Sequence, residues 1–134
     1  MNLDRIHHIG VAVTDLDESI RLYTTAFGAQ LVRRSVSETD GLEAAFLRAG
    51  ESEVELLRPT RDESPVGKFL ARRGPGLHHV AYAVTDIDRA LDEARAAGLE
   101  LIDQQPRVGL HGARIAFLHP KTMGGVLTEL VESR

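Results

Sequence analysis

The stretch LHHVAYAVTDID at residues 77–88 nearly repeats IHHIGVAVTDLD at residues 6–17. Four of the chain's 6 histidines thus fall in two matched His-His pairs, each opening a strand-like run. The spacing is constant: 79 − 8 = 71, and the same step carries Val13 to Val84, Thr14 to Thr85 and Asp17 to Asp88. After a slip of one residue, FGAQLV (27–32) matches AGLELI (97–102), and AFL at 45–47 returns as AFL at 116–118, again 71 apart. A period of about half the chain marks a duplicated module, since solenoid repeats run to roughly 20–50 residues.

Each copy reads as a strand, a helix and three more strands. HHIGVAV alternates and is β-branched, as a strand requires. TDLDESIRLYTTAFG follows, with a Thr-x-x-Asp cap, Leu16, Ile20, Tyr23 and Phe27 on one stripe, and Gly28 as a stop. The second copy repeats this with Thr85, Ile87, Leu91, Ala94 and Gly98. The strand candidates after the helix are AQLVRRSV, EAAFLRA and EVELLRP in the first copy, and LELIDQ, ARIAFLHP and GVLTELVE in the second. Between the copies, Ser64 and Pro65 make an N-cap and first-turn pair for a short helix that stops near Gly74. The fold class is α+β: two tandem βαβββ modules in one domain spanning 1–134, with module one at about 1–60, a connecting helix at about 61–75 and module two at about 76–134.

Bulk properties narrow the function. A chain of 134 residues, 43% hydrophobic and 27% charged, is one globular domain by size. No apolar run approaches the ~20 residues that span a bilayer, and no signal-peptide pattern opens the chain, so the cytoplasm is the default location. With no cysteine, disulfides and thiolate metal sites are excluded. A net charge of −4 and 4% aromatic residues argue against a nucleic-acid face.

Strand parity then sorts the side chains. Residues two apart share a face, so His8, Gly10 and Ala12 point one way while Ile9, Val11 and Val13 point the other. The second copy sets His79, Ala81 and Ala83 against Val80, Tyr82 and Val84. The bulky sets belong against the helices. Each opposite face carries a histidine followed by two small residues, which predicts a cavity. The last strand of each copy adds a carboxylate inside an apolar run, Glu55 in VELL and Glu129 in TELV. Such a carboxylate is costly when buried unless a cation or proton accompanies it. Two histidines and two glutamates from a duplicated module suit one divalent metal, any of Co2+, Mn2+, Ni2+, Zn2+ and Fe2+ by donor type. A strand histidine is ordinarily a core or edge residue, and His7 and His78, on the other parity, are read that way. His111 and His119 fall in or beside turns.

The segments HHIGVAV, GESEVELLRP, DESPVGKFLARRGPGLHHVA, FLHPK and GGVLTELVE, in this order, resemble the vicinal oxygen chelate (glyoxalase-like) superfamily, and within it most closely the methylmalonyl-CoA epimerase family. The resemblance runs nearly end to end. It implies His8, Glu55, His79 and Glu129 as metal ligands, Co2+ as the first choice of metal, a cupped mixed β-sheet around the metal, and a homodimer. It implies interconversion of the 2R and 2S epimers of methylmalonyl-CoA by proton abstraction and an enolate, with Glu129 at the metal as the acid/base of one face; the duplication offers Glu55 for the opposite face, and which group serves that second face is left open. Coenzyme A carries phosphates, so an acidic chain needs a local basic patch; Lys68, Arg72, Arg73 and Lys121 are the candidates, alongside backbone amides of the RVGLHGA turn. The last-turn position of ARRG is equally explained by the helix dipole.

Some members of that family carry a second acid/base glutamate in the third strand of module one, where this chain has Ala44 and, on the other parity, Glu43. Those members tend to have glutamine at the place of Glu55, so this chain resembles the other branch. Arg58 stands where an acidic or neutral residue is common. Competing readings are a glyoxalase I-type isomerase of a glutathione hemithioacetal, which leaves DESPVGKFL unexplained, and an extradiol dioxygenase, which four protein ligands oppose. A non-catalytic small-molecule-binding member of the superfamily needs no ligands at all, and another acyl-CoA epimerase completes the set.

Overall fold

The computed structural model describes residues 1–133. It divides the chain into two compact units, His8–His78 and Met1–His7 with His79–Arg134. In order, the elements are β1 (Arg5–Ala12), α1 (Leu16–Arg21), β2 (Gln30–Ser37), β3 (Leu42–Ala49), β4 (Ser52–Pro59), α2 (Pro65–Arg73), β5 (Gly76–Val84), α3 (Ile87–Ala96), β6 (Arg107–Val108), β7 (Arg114–Leu118) and β8 (Thr128–Glu132). Among the described residues no helix is long and apolar enough to cross a membrane.

In the first unit the strand order is β2-β3-β4-β1, with β1 parallel to β4 and the other pairs antiparallel. In the second it is β5-β8-β7-β6, with β5 parallel to β8. The parallel pair arises because each module returns its last strand to the side of its first, which takes an intervening helix and hairpins. Val11 and Val13 pack with Leu16, Ile20, Tyr23, Ala45, Leu47 and Leu56 under α1. Tyr82 and Val84 pack with Ile87, Leu91, Ala94, Ala116, Leu118 and Leu130 under α3. The bulky parity of β1 and β5 thus faces the helices.

Both helices are capped by aspartate, one residue later than the Thr-x-x-Asp reading placed the cap. Asp15 accepts from the Glu18 N–H and Asp86 from the Arg89 N–H, each from an extended backbone that an N-cap requires. α3 is regular to Ala96, whereas α1 widens after Arg21 into a π-helical turn, Leu22–Ala26. The Thr24 hydroxyl donates to the Ile20 carbonyl there, and the Ala29 N–H reaches back to the Tyr23 carbonyl. The wider turn carries Phe27 off the expected apolar stripe: it is 70% exposed and meets Tyr23 only edge-on.

LELIDQ does not form a strand. Leu101 makes a single bridge to Leu118, and the Asp103 carboxylate then accepts from the Phe117 N–H at 2.8 Å, taking the place of a ladder carbonyl. Pro106 follows, and the edge is instead the two-residue β6.

α2 begins as its sequence dictates: Ser64 Oγ accepts from the Gly67 N–H, Pro65 opens the first turn, and Gly74 at φ 74° ends it. Gly67 is required for another reason. A Cβ there would stand 2.5 Å from the Asp62 carbonyl oxygen and 2.7 Å from that of Arg61, both backbone atoms. Gly67→Ala therefore destabilises the protein, by about 1–2 kcal/mol in urea unfolding, although helix propensity alone favours alanine by about 1 kcal/mol.

Candidate functional site

Each unit builds one histidine–glutamate pair, and both are built the same way. In β1 the residues His8, Gly10 and Ala12 are buried while their neighbours are not. The parallel register sets Gly10 opposite Glu55 of β4, and the antiparallel register sets Phe46 of β3 on the other side of Glu55. Gly10 has no side chain to compete for the space, so the imidazole two residues earlier closes on the carboxylate, His8 Nε2 to Glu55 Oε1 at 3.5 Å. In the second unit Ala81 stands opposite Glu129, Phe117 flanks it, and His79 Nε2 lies 3.1 Å from Glu129 Oε1. The Phe117 ring also meets the His79 imidazole edge-on at 5.5 Å between centroids, fixing that ring's orientation.

All four residues are buried, at 3% (His8), 7% (Glu55), 4% (His79) and 3% (Glu129) exposure. Taking a carboxylate out of water costs several kcal/mol unless a charge or hydrogen-bond donor compensates. Among the described residues no buried side-chain nitrogen or oxygen lacks a hydrogen-bond partner, so the cost is met rather than left standing. Each pair offers one imidazole nitrogen and one carboxylate oxygen, borderline donors that suit a divalent transition metal. The small-residue face is filled more than parity alone predicts: Ala81 packs with Ile115 and Val131 in the second unit.

Ala44 is fully buried on the face of β3 that carries Phe46, the face of Glu55. Glu43 takes the opposite face, where Arg34 Nη2 lies 3.0 Å and Arg58 Nη2 3.3 Å from its carboxylate. Arg34 Nη1 also meets Asp17 at 2.6 Å. The Arg34 pKa is raised, by the Asp17 hydrogen bond first, against a smaller desolvation and with Glu43 adding to it. Arg58, for which the sequence supplied no role, is thus the last member of a chain of alternating charge, Asp17–Arg34–Glu43–Arg58.

Lys68, Arg72 and Arg73 are exposed on α2, and Arg73 leans over the Phe69 ring at 5.9 Å. Lys121 is exposed in a 3-10 turn, Pro120–Thr122, that His119 caps by accepting from the Lys121 N–H at 2.9 Å. His78 packs edge-on against Phe69, and His7 lies 5.6 Å from His111 of the Gly109–Gly112 turn. Arg33 and Phe46, which the sequence reading passed over, also belong to the Glu55 face: the guanidinium lies 4.7 Å from the Phe46 ring centroid. No regular alternation points to Arg33, because the register of β2 shifts between Leu31 and Arg33.

The family model of the Glyoxalase/Bleomycin resistance protein/Dioxygenase superfamily matches residues 7–117, and the chain belongs to that superfamily. Within it, the mitochondrial methylmalonyl-CoA epimerase of Dictyostelium discoideum is 35% identical over 133 residues, covering 98% of this chain and 80% of that one. The ethylmalonyl-CoA/methylmalonyl-CoA epimerase of Cereibacter sphaeroides is 33% identical over 130 residues, covering 96% and 97%. A solved methylmalonyl-CoA epimerase in complex with methylmalonyl-CoA and NH4+ is 42% identical, covers 98% of this chain and 96% of that chain, and superposes with a TM-score of 0.94.

The two faces of β3 separate stability from chemistry. Glu43→Ala removes the hub of a partly exposed network and lowers stability by about 1 kcal/mol or less. Because Glu43 is turned away from Glu55, the variant retains wild-type turnover, measured beside its thermal unfolding.

Proposed function

We propose that the chain epimerises C2 of methylmalonyl-CoA, and that His8, Glu55, His79 and Glu129 together hold one divalent metal ion that the reaction uses. The observation that carries the reading is the twice-built pair, a buried histidine and glutamate set around a residue too small to separate them. All four side chains are of metal-ligating type and all four are buried, a combination that fits a divalent ion better than it fits a packed core. The epimerase relatives at 33–35% identity over nearly the whole chain supply the substrate.

Bound there, a divalent ion acts as a Lewis acid toward the thioester carbonyl and so acidifies the proton at C2. The proton itself is moved by the chain. C2 lies between a thioester and a carboxylate, and its proton goes to a carboxylate on one face while the electron pair spreads into the thioester carbonyl. A proton returned to the other face completes the inversion, with no oxidant or reductant consumed. Glu129 serves one face and Glu55, from the other copy of the module, the opposite one; Ala44 can serve neither. Lys68, Arg72, Arg73 and Lys121, all exposed, are the cations proposed to hold the coenzyme A phosphates. The exposed apolar residues Leu31, Val32 and Val36 of β2 support a homodimer, whose mass light scattering reads directly.

Incubating the metal-replete protein with one epimer of methylmalonyl-CoA in heavy water gives both epimers with deuterium at C2. Turnover of a methylglyoxal–glutathione adduct without that exchange moves the assignment to a glyoxalase. His79→Ala loses the ion in elemental analysis and loses the thermal stabilisation that saturating metal gives the wild type, about 2.7 kcal/mol at a hundredfold excess over Kd. Glu55→Gln keeps the ion, since an amide oxygen still ligates, and loses most epimerisation. Ala44→Glu added to Glu55→Gln restores a measurable part of it; a Glu55→Gln protein that epimerises at the wild-type rate removes Glu55 from the acid/base pair.

A further inference from the structure

Phe46 and Phe117 hold matching places in the two copies, 117 − 46 = 71, each directly across a ladder from the buried glutamate of its unit. Their outer sides differ. Phe46 is paired again on that side, to Arg33 of β2, so its backbone lies between two strands. Among the described residues, β6 reaches only Arg114 and Ile115 of β7, and the ladder stops short of Phe117. The chain before β6 takes up that edge instead. Ile102 and Asp103 both donate their N–H groups to the Phe117 carbonyl, at 2.9 and 3.2 Å, and the Asp103 carboxylate accepts from the Phe117 N–H at 2.8 Å. Two residues thus face one, the arrangement of a bulge, and bulges beside functional sites commonly re-aim a side chain. Asp103 does for Phe117 what a neighbouring strand does for Phe46.

The same carboxylate has a second use. Its other oxygen receives Arg107 Nε at 3.3 Å, and the Arg107 guanidinium lies over the Phe117 ring, 5.9 Å from the centroid. The Asp103 side chain is only 19% exposed, so both contacts are weakly screened by solvent. Ala81, Ile115 and Val131 pack around the same ring. The ring is therefore held at its backbone by Asp103, topped by a guanidinium that Asp103 also holds, and bedded on apolar side chains. His79 rests against it edge-on, with 5.5 Å between centroids and 81° between planes. An imidazole packed on a ring that cannot swing is itself restrained, and the affinity of a metal ligand depends on the groups that set its orientation. We infer that Asp103 is a positioning residue: through Phe117 it fixes the His79 imidazole in the orientation that points Nε2 at Glu129 and at the proposed divalent ion. The inference rests on the metal reading and adds the residue that orients one of its ligands.

The test compares the wild-type chain with Asp103→Ala, Asp103→Asn, Phe117→Leu and the Asp103→Ala, Phe117→Leu double variant. Competition with a chromophoric chelator gives the Kd for Zn2+. NMR of the ion-free proteins at one fixed pH gives the His79 ring protons, which the ring current of Phe117 displaces. Asp103→Ala is expected to weaken Zn2+ binding about tenfold and to move the His79 signals toward their positions in Phe117→Leu. Asp103→Asn stays within about twofold of wild type, because an amide oxygen accepts the same N–H. Phe117→Leu loses about as much affinity as Asp103→Ala, and the double variant loses no more than Phe117→Leu alone, since residues that act through one contact are not additive. Should Asp103→Ala fail to fold, Asp103→Glu, whose carboxylate is displaced by one methylene, takes its place with the same expectations. A loss that persists undiminished in the Phe117→Leu background overturns the inference, as does wild-type affinity in Phe117→Leu. A lowered Tm with unchanged affinity and unmoved His79 signals would mean that Asp103 only braces the sheet edge, and overturns it too. Wild-type protein that takes up no divalent ion overturns the metal reading; the His79 signals of the ion-free proteins then still decide whether Asp103 orients that imidazole, so the two failures are told apart.

Discussion

A carboxylate buried in the middle of a strand needs both a partner and room for it, and this requirement shapes both copies of the module. Room comes from the strand beside it, where Gly10 and Ala81 stand opposite Glu55 and Glu129. The partner comes from the same strand two residues earlier, where His8 and His79 share the face. The cost is hydrophobic: a buried valine or leucine at those positions would contribute roughly 1.5–3 kcal/mol each. Both copies give up that stabilisation at the same two places on β1 and β5, and make their apolar clusters on the opposite face, under α1 and α3.

The middle strands of the first unit show the same division in another form. Along β3, Ala44 and Phe46 look toward Glu55, while Glu43, Ala45 and Leu47 look toward α1 or the solvent beside it. The polar residues on the helix side satisfy one another through the alternating series from Asp17 to Arg58. The Glu55 face carries Glu55 and His8 at its buried centre, with Arg33 on the edge strand and the Arg48–Glu53 pair toward the strand ends. Stability and chemistry are thus written on alternate residues of the same strands.

The histidine and glutamate positions were legible because HHIGVAV and HHVAYAV alternate without interruption, and an unbroken period of two fixes a face once one residue is placed. The duplication supplied the second check. What the sequence hid were the departures from period. The shift at Val32 inverts the parity of everything before it, and nothing in QLVRRSVS marks where. Asp103 looked like a strand residue until its carboxylate was seen to accept from Phe117, a partner 14 positions away. Arg58 had no reading for the same reason: Glu43 is 15 residues from it in sequence and directly opposite it in the ladder. The caps were missed by one position, because Thr14-Asp15 and Thr85-Asp86 each offer two side chains able to cap and only the backbone decides between them.

The π-helical turn at the end of α1 explains an arithmetic oddity in the repeat. From Asp17 to Asp88 the copies are 71 apart, but from Gly28 to Gly98 they are 70 apart, so the first copy holds one more residue in its helix. An added residue in a continuous α-helix would rotate everything after it by about 100°. The π-helical turn Leu22–Ala26 accommodates it, and β2 follows from Gln30. Leu22–Ala26 is therefore the place where the two halves record a difference in length, and the expelled Phe27 ring is its visible trace on the surface.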